Sequence, residues 1–142
     1  MSLLHLHPML VHFPIALALV AFLLDVAGYR FKQDWLSKAS VTLTVLAMLG
    51  ALAAVLSGFF FTKPVAGLGA VLKEEHVTYA LVSTILLIAA SVIGVSSLCA
   101  KKVSTPNPKS KYIYTFLMLL VAIGISLTGM KGGSIVYDVW LF

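Results

Sequence analysis

The sequence predicts an all-α integral membrane protein, a four-transmembrane-helix up-down bundle with both termini on the outer side. Three observations carry this expectation. Of the 142 residues 61% are hydrophobic and only 11% charged, against about 45–50% and about 25% in an average globular chain. The apolar residues gather into four runs, each long enough for the roughly 20 helical residues that cross a hydrocarbon core. Polar or helix-terminating residues separate the runs. A mean hydropathy of +1.05 agrees that lipid is the solvent for most of this chain.

The first span is expected over residues 8–29, ending at Phe31-Lys32-Gln33-Asp34. The second covers 39–61 and stops before Lys63-Pro64; the third covers 76–99 and stops before Asn107-Pro108. The fourth covers 112–130 and is expected to close at Gly132-Gly133. Each must be helical, because backbone polar groups in lipid have to be satisfied within their own segment. One domain, 1–142, accounts for the chain, and no cleavable signal peptide is expected at a start that lacks a basic segment.

Orientation follows from the basic residues. Arg30, Lys32, Lys38, Lys101, Lys102, Lys109 and Lys111 fall on one side, and Lys63, Lys73 and Lys131 on the other. The richer side is expected to be cytoplasmic. Both termini would then be periplasmic in a multi-pass protein of a bacterial inner membrane. Tyr29, Trp35, Tyr112 and Tyr114 would anchor the inner interface, and Phe59, Phe60, Tyr137 and Trp140 the outer one. Asp25 would snorkel or pair near Arg30. No arginine cluster with interleaved aromatics is present, so nucleic-acid binding is not expected. The single Cys99 excludes an internal disulfide and a multi-cysteine metal site, and reads as a small packing residue.

Helices in lipid associate through small residues. Span two offers Gly50, Ala54 and Gly58 with Ser57 beside them; span three offers Ala80, Ser83 and Ala90, and span four Gly124 and Gly129. Helix packing is the plain reading of these stripes, and a flat ligand against span two is the sharper one.

The four histidines all belong to the outer side: His5, His7 and His12 at the start, and His76 at the opening of span three. Pro8 suits a first helical turn, whereas Pro14 lies in the helix interior and should bend or break span one. His7 and His12 are five positions apart, about 140° around a helix axis, and cannot share one face. In an up-down bundle spans one and three are diagonal and parallel, which brings His12 and His76 to similar depths. Two facing imidazoles between apolar walls suit the axial coordination of one haem b. His12 and His76 are the expected iron ligands, and His7 is an alternate ligand or a donor behind them. Copper or zinc held by His7, His12 and His76 is a smaller alternative, and no cofactor at all is another. No nucleophile triad, phosphate loop or cysteine pair occurs, so an electron carrier or accessory subunit is expected rather than a stand-alone catalyst.

The segment His7-Pro8-Met9-Leu10-Val11-His12-Phe13-Pro14-Ile15, one histidine opening span three, and the terminal Gly132-Gly133-Ser134-Ile135-Val136-Tyr137 together resemble the bacterial membrane family termed domain of unknown function 2231. The family's tail typically continues with a Gly-Val-rich stretch, where this chain has Asp138-Val139-Trp140-Leu141-Phe142. The resemblance implies the same histidines, with Gly132 and Gly133 at the end of span four. It also implies companionship with respiratory proteins. The expected function is a b-type cytochrome-like electron-transfer subunit, exchanging electrons with a quinol or an external cytochrome. The alternative is a cofactor-free accessory or assembly subunit of a larger respiratory or photosynthetic complex. The apolar tail from Ser134 to Phe142, too short to cross the membrane, is expected to lie along the outer interface and cover the histidine mouth, or to dock onto a partner subunit.

Overall fold

A computed structural model describes residues 6–61, 67–103 and 108–135. They form four helices: α1 (Leu6–Phe31), α2 (Asp34–Phe61), α3 (Leu68–Val103) and α4 (Pro108–Ser134). All four are long and apolar enough to cross a membrane. The expected spans are recovered with longer ends. At 1.5 Å per residue the 36 residues of α3 reach about 54 Å, well beyond a hydrocarbon core of about 30 Å. The helix starts eight residues before His76, so this histidine lies two turns inside α3 rather than at its opening. Gly67, at φ +62°, makes the turn that releases α3, and its carbonyl accepts the Ala70 N–H at 3.1 Å.

One further expectation is corrected and one holds. Pro14 does not break α1, which runs on through it to Phe31. Its ring is buried against α2 at Gly50, where an added Cβ would lie 3.4 Å from Pro14 Cδ and from Phe13 Cδ1. Gly132 and Gly133 fall in the last turn of α4, which ends one residue later at Ser134, as the expected close of span four requires.

The α1 terminus is set by backbone geometry. Lys32 adopts φ +54°, and the Gln33 N–H donates to the Gly28 carbonyl at 3.1 Å. This is the six-to-one closure of a helix whose following residue is left-handed. It turns the chain within two residues and sends α2 back alongside α1.

The closest packing lies within the hairpins α1–α2 and α3–α4, with thinner seams between α2 and α3 and between α1 and α4. Each helix therefore meets its cyclic neighbours, as in an up-down bundle. Small side chains fill the axis. One layer joins Ala18, Ala47, Ala51, Leu87, Val121 and Ile125; a second joins Ala21, Val41, Ala90, Tyr114 and Met118. Large apolar side chains such as Leu23, Leu56, Ile85 and Phe116 face outward, as lipid requires.

Several polar side chains in the spans turn inward, while others such as Thr42, Thr78 and Ser96 are exposed and bond back to their own helix. The Tyr114 hydroxyl meets Ser40 Oγ and Thr44 Oγ1 at 2.8 Å each, and Ser40 Oγ donates to the Ala21 carbonyl. Tyr114 is thus a buried tie between α1, α2 and α4 and not an interfacial anchor, while Tyr29, Trp35 and Tyr112 are exposed as expected. Asp25 neither snorkels nor pairs with Arg30. It is 2% exposed, and Thr115 Oγ1 of α4 donates to its Oδ2 at 2.5 Å. Cys99 is exposed on the flank of α3 instead of packed inside.

A candidate paired-histidine site

The histidine end is built by four helices, each supplying one part. α1 brings His7, α3 brings His76, and α2 and α4 supply the groups that hold them. His7 and His76 lie with ring centroids 6.3 Å apart and planes at 85°. The diagonal helices therefore do bring two imidazoles together, but with His7 in the place expected for His12. Two features explain the exchange. His76 stands level with the first turn of α1 rather than its second, with the two preceding turns of α3 extending past that level. The rotation of about 140° between positions 7 and 12 then turns His12 to the exposed surface. The expected facing of His12 and His76 is not formed.

Each ring is fixed by its Nδ1. His7 Nδ1 lies 2.9 Å from Ser57 Oγ, whose own proton is donated to the Ala54 carbonyl at 2.8 Å. The hydroxyl can then only accept, so His7 Nδ1 carries a hydrogen and donates it. His76 Nδ1 lies 2.9 Å from the Thr128 carbonyl, which accepts only. His76 Nδ1 is a donor as well. In both neutral rings the lone pair is consequently on Nε2. This pattern, one nitrogen oriented by a helix-borne oxygen and the other left available, is the one that metal-ligating histidines use.

Glycine makes both seats possible. A Cβ at Gly58 would lie 3.2 Å from His7 Cε1, and one at Gly132 would lie 3.1 and 3.2 Å from Cε1 and Nδ1 of His76. The small-residue stripe of α2 is thus divided between two tasks: Gly50 receives Phe13 and Pro14, and Gly58 receives an imidazole. Gly132 does the same for α4, whereas Gly133 has nothing within 4 Å. Ser57, Gly58 and Gly132 as seats for specific rings could not be read from spacing along single helices. The only trace in the sequence is that Ser57-Gly58 and Gly132 lie at the same end as the histidines.

The electrostatics favour a neutral pair. Burial lowers the pKa of His7 from the ordinary 6.5, with the neighbouring His76 and Lys73 acting in the same sense and the Ala54 carbonyl opposing them. Beside the pair, Lys131 of α4 and Glu75 of α3 form an ion pair at 2.5 Å, which closes the α3–α4 seam. Among the described residues, no group of three or more His, Cys, Asp or Glu side chains converges as a metal cluster. The geometry accordingly offers two imidazoles and does not gather His7, His12 and His76 into the three-histidine copper or zinc site. His5 and the tail residues Tyr137 and Trp140 lie outside the described residues.

Four spanning helices with a histidine pair at one end define a multi-pass membrane protein of the helical-bundle class. The chain belongs to the family described as predicted membrane protein DUF2231, whose model matches residues 4–141. Comparison with curated proteins and with solved structures gives no match.

Proposed function

We propose that the chain is a membrane electron-transfer subunit that binds one haem b through His7 and His76. The observation carrying this reading is the pair itself: two imidazoles from diagonal helices, both oriented through Nδ1, which puts the lone pair of each neutral ring on Nε2. His7 and His76 would be the residues that hold the haem, and two protein imidazoles would suffice for it, whereas zinc takes three or four protein ligands. Bound there, haem would supply one-electron exchange. The chain's part is to hold two neutral imidazoles in fixed tautomers and to exclude competing ligands with apolar helix walls. His12, on the outer surface, has no ligand role in this reading. A quinol or an external cytochrome is the corresponding electron partner, in a bacterial inner membrane with the histidine end and both termini periplasmic.

The test is the visible spectrum of protein purified from haem-replete cells, oxidised and reduced. A b-type spectrum lost in His7→Ala and in His76→Ala, and kept in His12→Ala, is the expected outcome. A colourless preparation, or a spectrum indifferent to His76, would end the proposal.

One observation favours a second reading. The two rings are close enough to pack edge to face directly, each tied to a neighbouring helix. The pair can therefore act as a clasp that shuts one end of a cofactor-free accessory or assembly subunit in a larger respiratory or photosynthetic complex. Purification with stoichiometric large partners and without a chromophore would favour that reading.

A further inference from the structure

At the end of the bundle opposite the histidines, a cavity of about 460 Å³ is lined by Gly28, Tyr29, Arg30, Lys32, Asp34 and Lys111. Three cations face one carboxylate there, and they come from segments some eighty positions apart in sequence. The cavity is built rather than incidental. The left-handed Lys32 and the Gln33-to-Gly28 hydrogen bond fix the floor at the α1–α2 turn. Gly28 lets α2 approach so closely that a Cβ there would stand 2.8 Å from Ser37 Oγ. On the α4 side, the Lys111 ammonium rests over the Tyr29 ring at 5.2 Å, and Tyr29 meets Tyr112 edge to face at 6.3 Å. Lys111 is thereby held at the rim.

The position of the cavity says what it would take. Exposed Tyr29 lines it, and exposed Trp35 and Tyr112 are the chain neighbours of its lining residues Asp34 and Lys111; these are the residue types that mark the level of lipid headgroups. From Arg30 the same stripe of α1 continues through Val26 and Leu23, both exposed and apolar, toward the middle of the membrane. A ligand with an anionic head in the cavity would have its apolar part on that stripe. Basic pockets between membrane helices are suited to phosphate-bearing headgroups.

We propose that this cavity seats the phosphate of an anionic phospholipid headgroup, held by Arg30, Lys32 and Lys111. The acyl chains lie along Val26 and Leu23. The site stands independently of what the histidine pair binds.

The test follows thermal unfolding of the full chain in neutral maltoside detergent. Phosphatidylglycerol, phosphatidylcholine and inorganic phosphate are titrated separately. Phosphatidylglycerol should raise the unfolding midpoint saturably, and phosphatidylcholine should not. A surface cation contributes about 1 kcal/mol toward anionic lipid, a factor of about five. Arg30→Gln, Lys32→Gln and Lys111→Gln should therefore each weaken the response about five-fold. Lys38→Gln removes an exposed cation from the same end that does not line the cavity, and should leave the response intact. Arg30→Lys should retain most of it, which separates loss of binding from loss of folding. An equal response to inorganic phosphate alone would make the ligand a free anion and overturn the lipid assignment. Equal weakening by Lys38→Gln would reduce the effect to diffuse surface charge and overturn the site.

Discussion

Gly132 and Gly133 are adjacent, both within α4, and neither has a positive φ, so alanine fits the backbone at either position. Their surroundings differ completely. A Cβ at Gly132 would press on the His76 ring at 3.1 and 3.2 Å, while a Cβ at Gly133 would meet nothing within 4 Å. Replacing glycine by alanine in a helix gains up to about 1 kcal/mol of backbone propensity, less near an end, and the gain is similar for the two neighbours. Only Gly132→Ala also overpacks. The His76 ring cannot retreat freely, because Nδ1 is bonded to the Thr128 carbonyl and the His7 ring lies near it, centroids 6.3 Å apart. Overpacking of a well-filled site costs about 1–3 kcal/mol. Gly133→Ala should therefore be neutral or stabilising, and Gly132→Ala should be less stable than it by about 1–3 kcal/mol. At roughly 4 °C for each kcal/mol, the two midpoints should be separated by several degrees. The assay is thermal unfolding of the two variants in identical micelles, repeated in a His76→Ala background. Removing the imidazole should erase the gap, because residues in contact couple and distant ones add. Coincident midpoints, or a gap that survives without His76, would refute the claim that Gly132 exists to seat this ring.

Two other predictions concern the polar interior. Thr115→Val removes the hydroxyl that donates to Asp25 Oδ2 and leaves a buried carboxyl without that donor; it should cost about 1–3 kcal/mol in thermal unfolding, with Thr115→Ser close to wild type. The docking of the first turn of α1 should depend on pH. The pKa of His7 is lowered in the folded state, chiefly by burial, so the undocked ring takes up a proton more readily than the docked one. Docking is unaffected well above the ordinary value of 6.5 and weakens as the pH falls through it. The protection factors of the Leu10 and Val11 amides, which bond back onto this turn, should fall on acidification in the wild type and not in His7→Gln once the pH dependence of intrinsic exchange is divided out; an equal fall in both would assign the effect to another group.

Composition and run length by themselves determined that four helices span a membrane. Hydrophobic length is a property of each segment alone, and lipid leaves the backbone no alternative to helix. The sequence also determined which end holds the histidines, because alternating spans assign each loop to a side. That His7 and His12 point in different directions follows from helical rotation. Which of them faces His76 does not. That depended on the relative height at which α1 and α3 pack; Glu74 and Glu75 suit a helix N-terminus and mark a start slightly before His76, but the full extension back to Leu68 was not legible because Lys73, Glu74 and Glu75 interrupt the apolar run. The fates of Pro14, Tyr114 and Asp25 were decided in the same way. Each has a partner on another helix, Gly50, Ser40 with Thr44, and Thr115, and cross-helix partners leave no mark in a single segment's pattern. Helical periodicity fixes directions within one helix, whereas the relative height and rotation of two helices arise only when their surfaces pack.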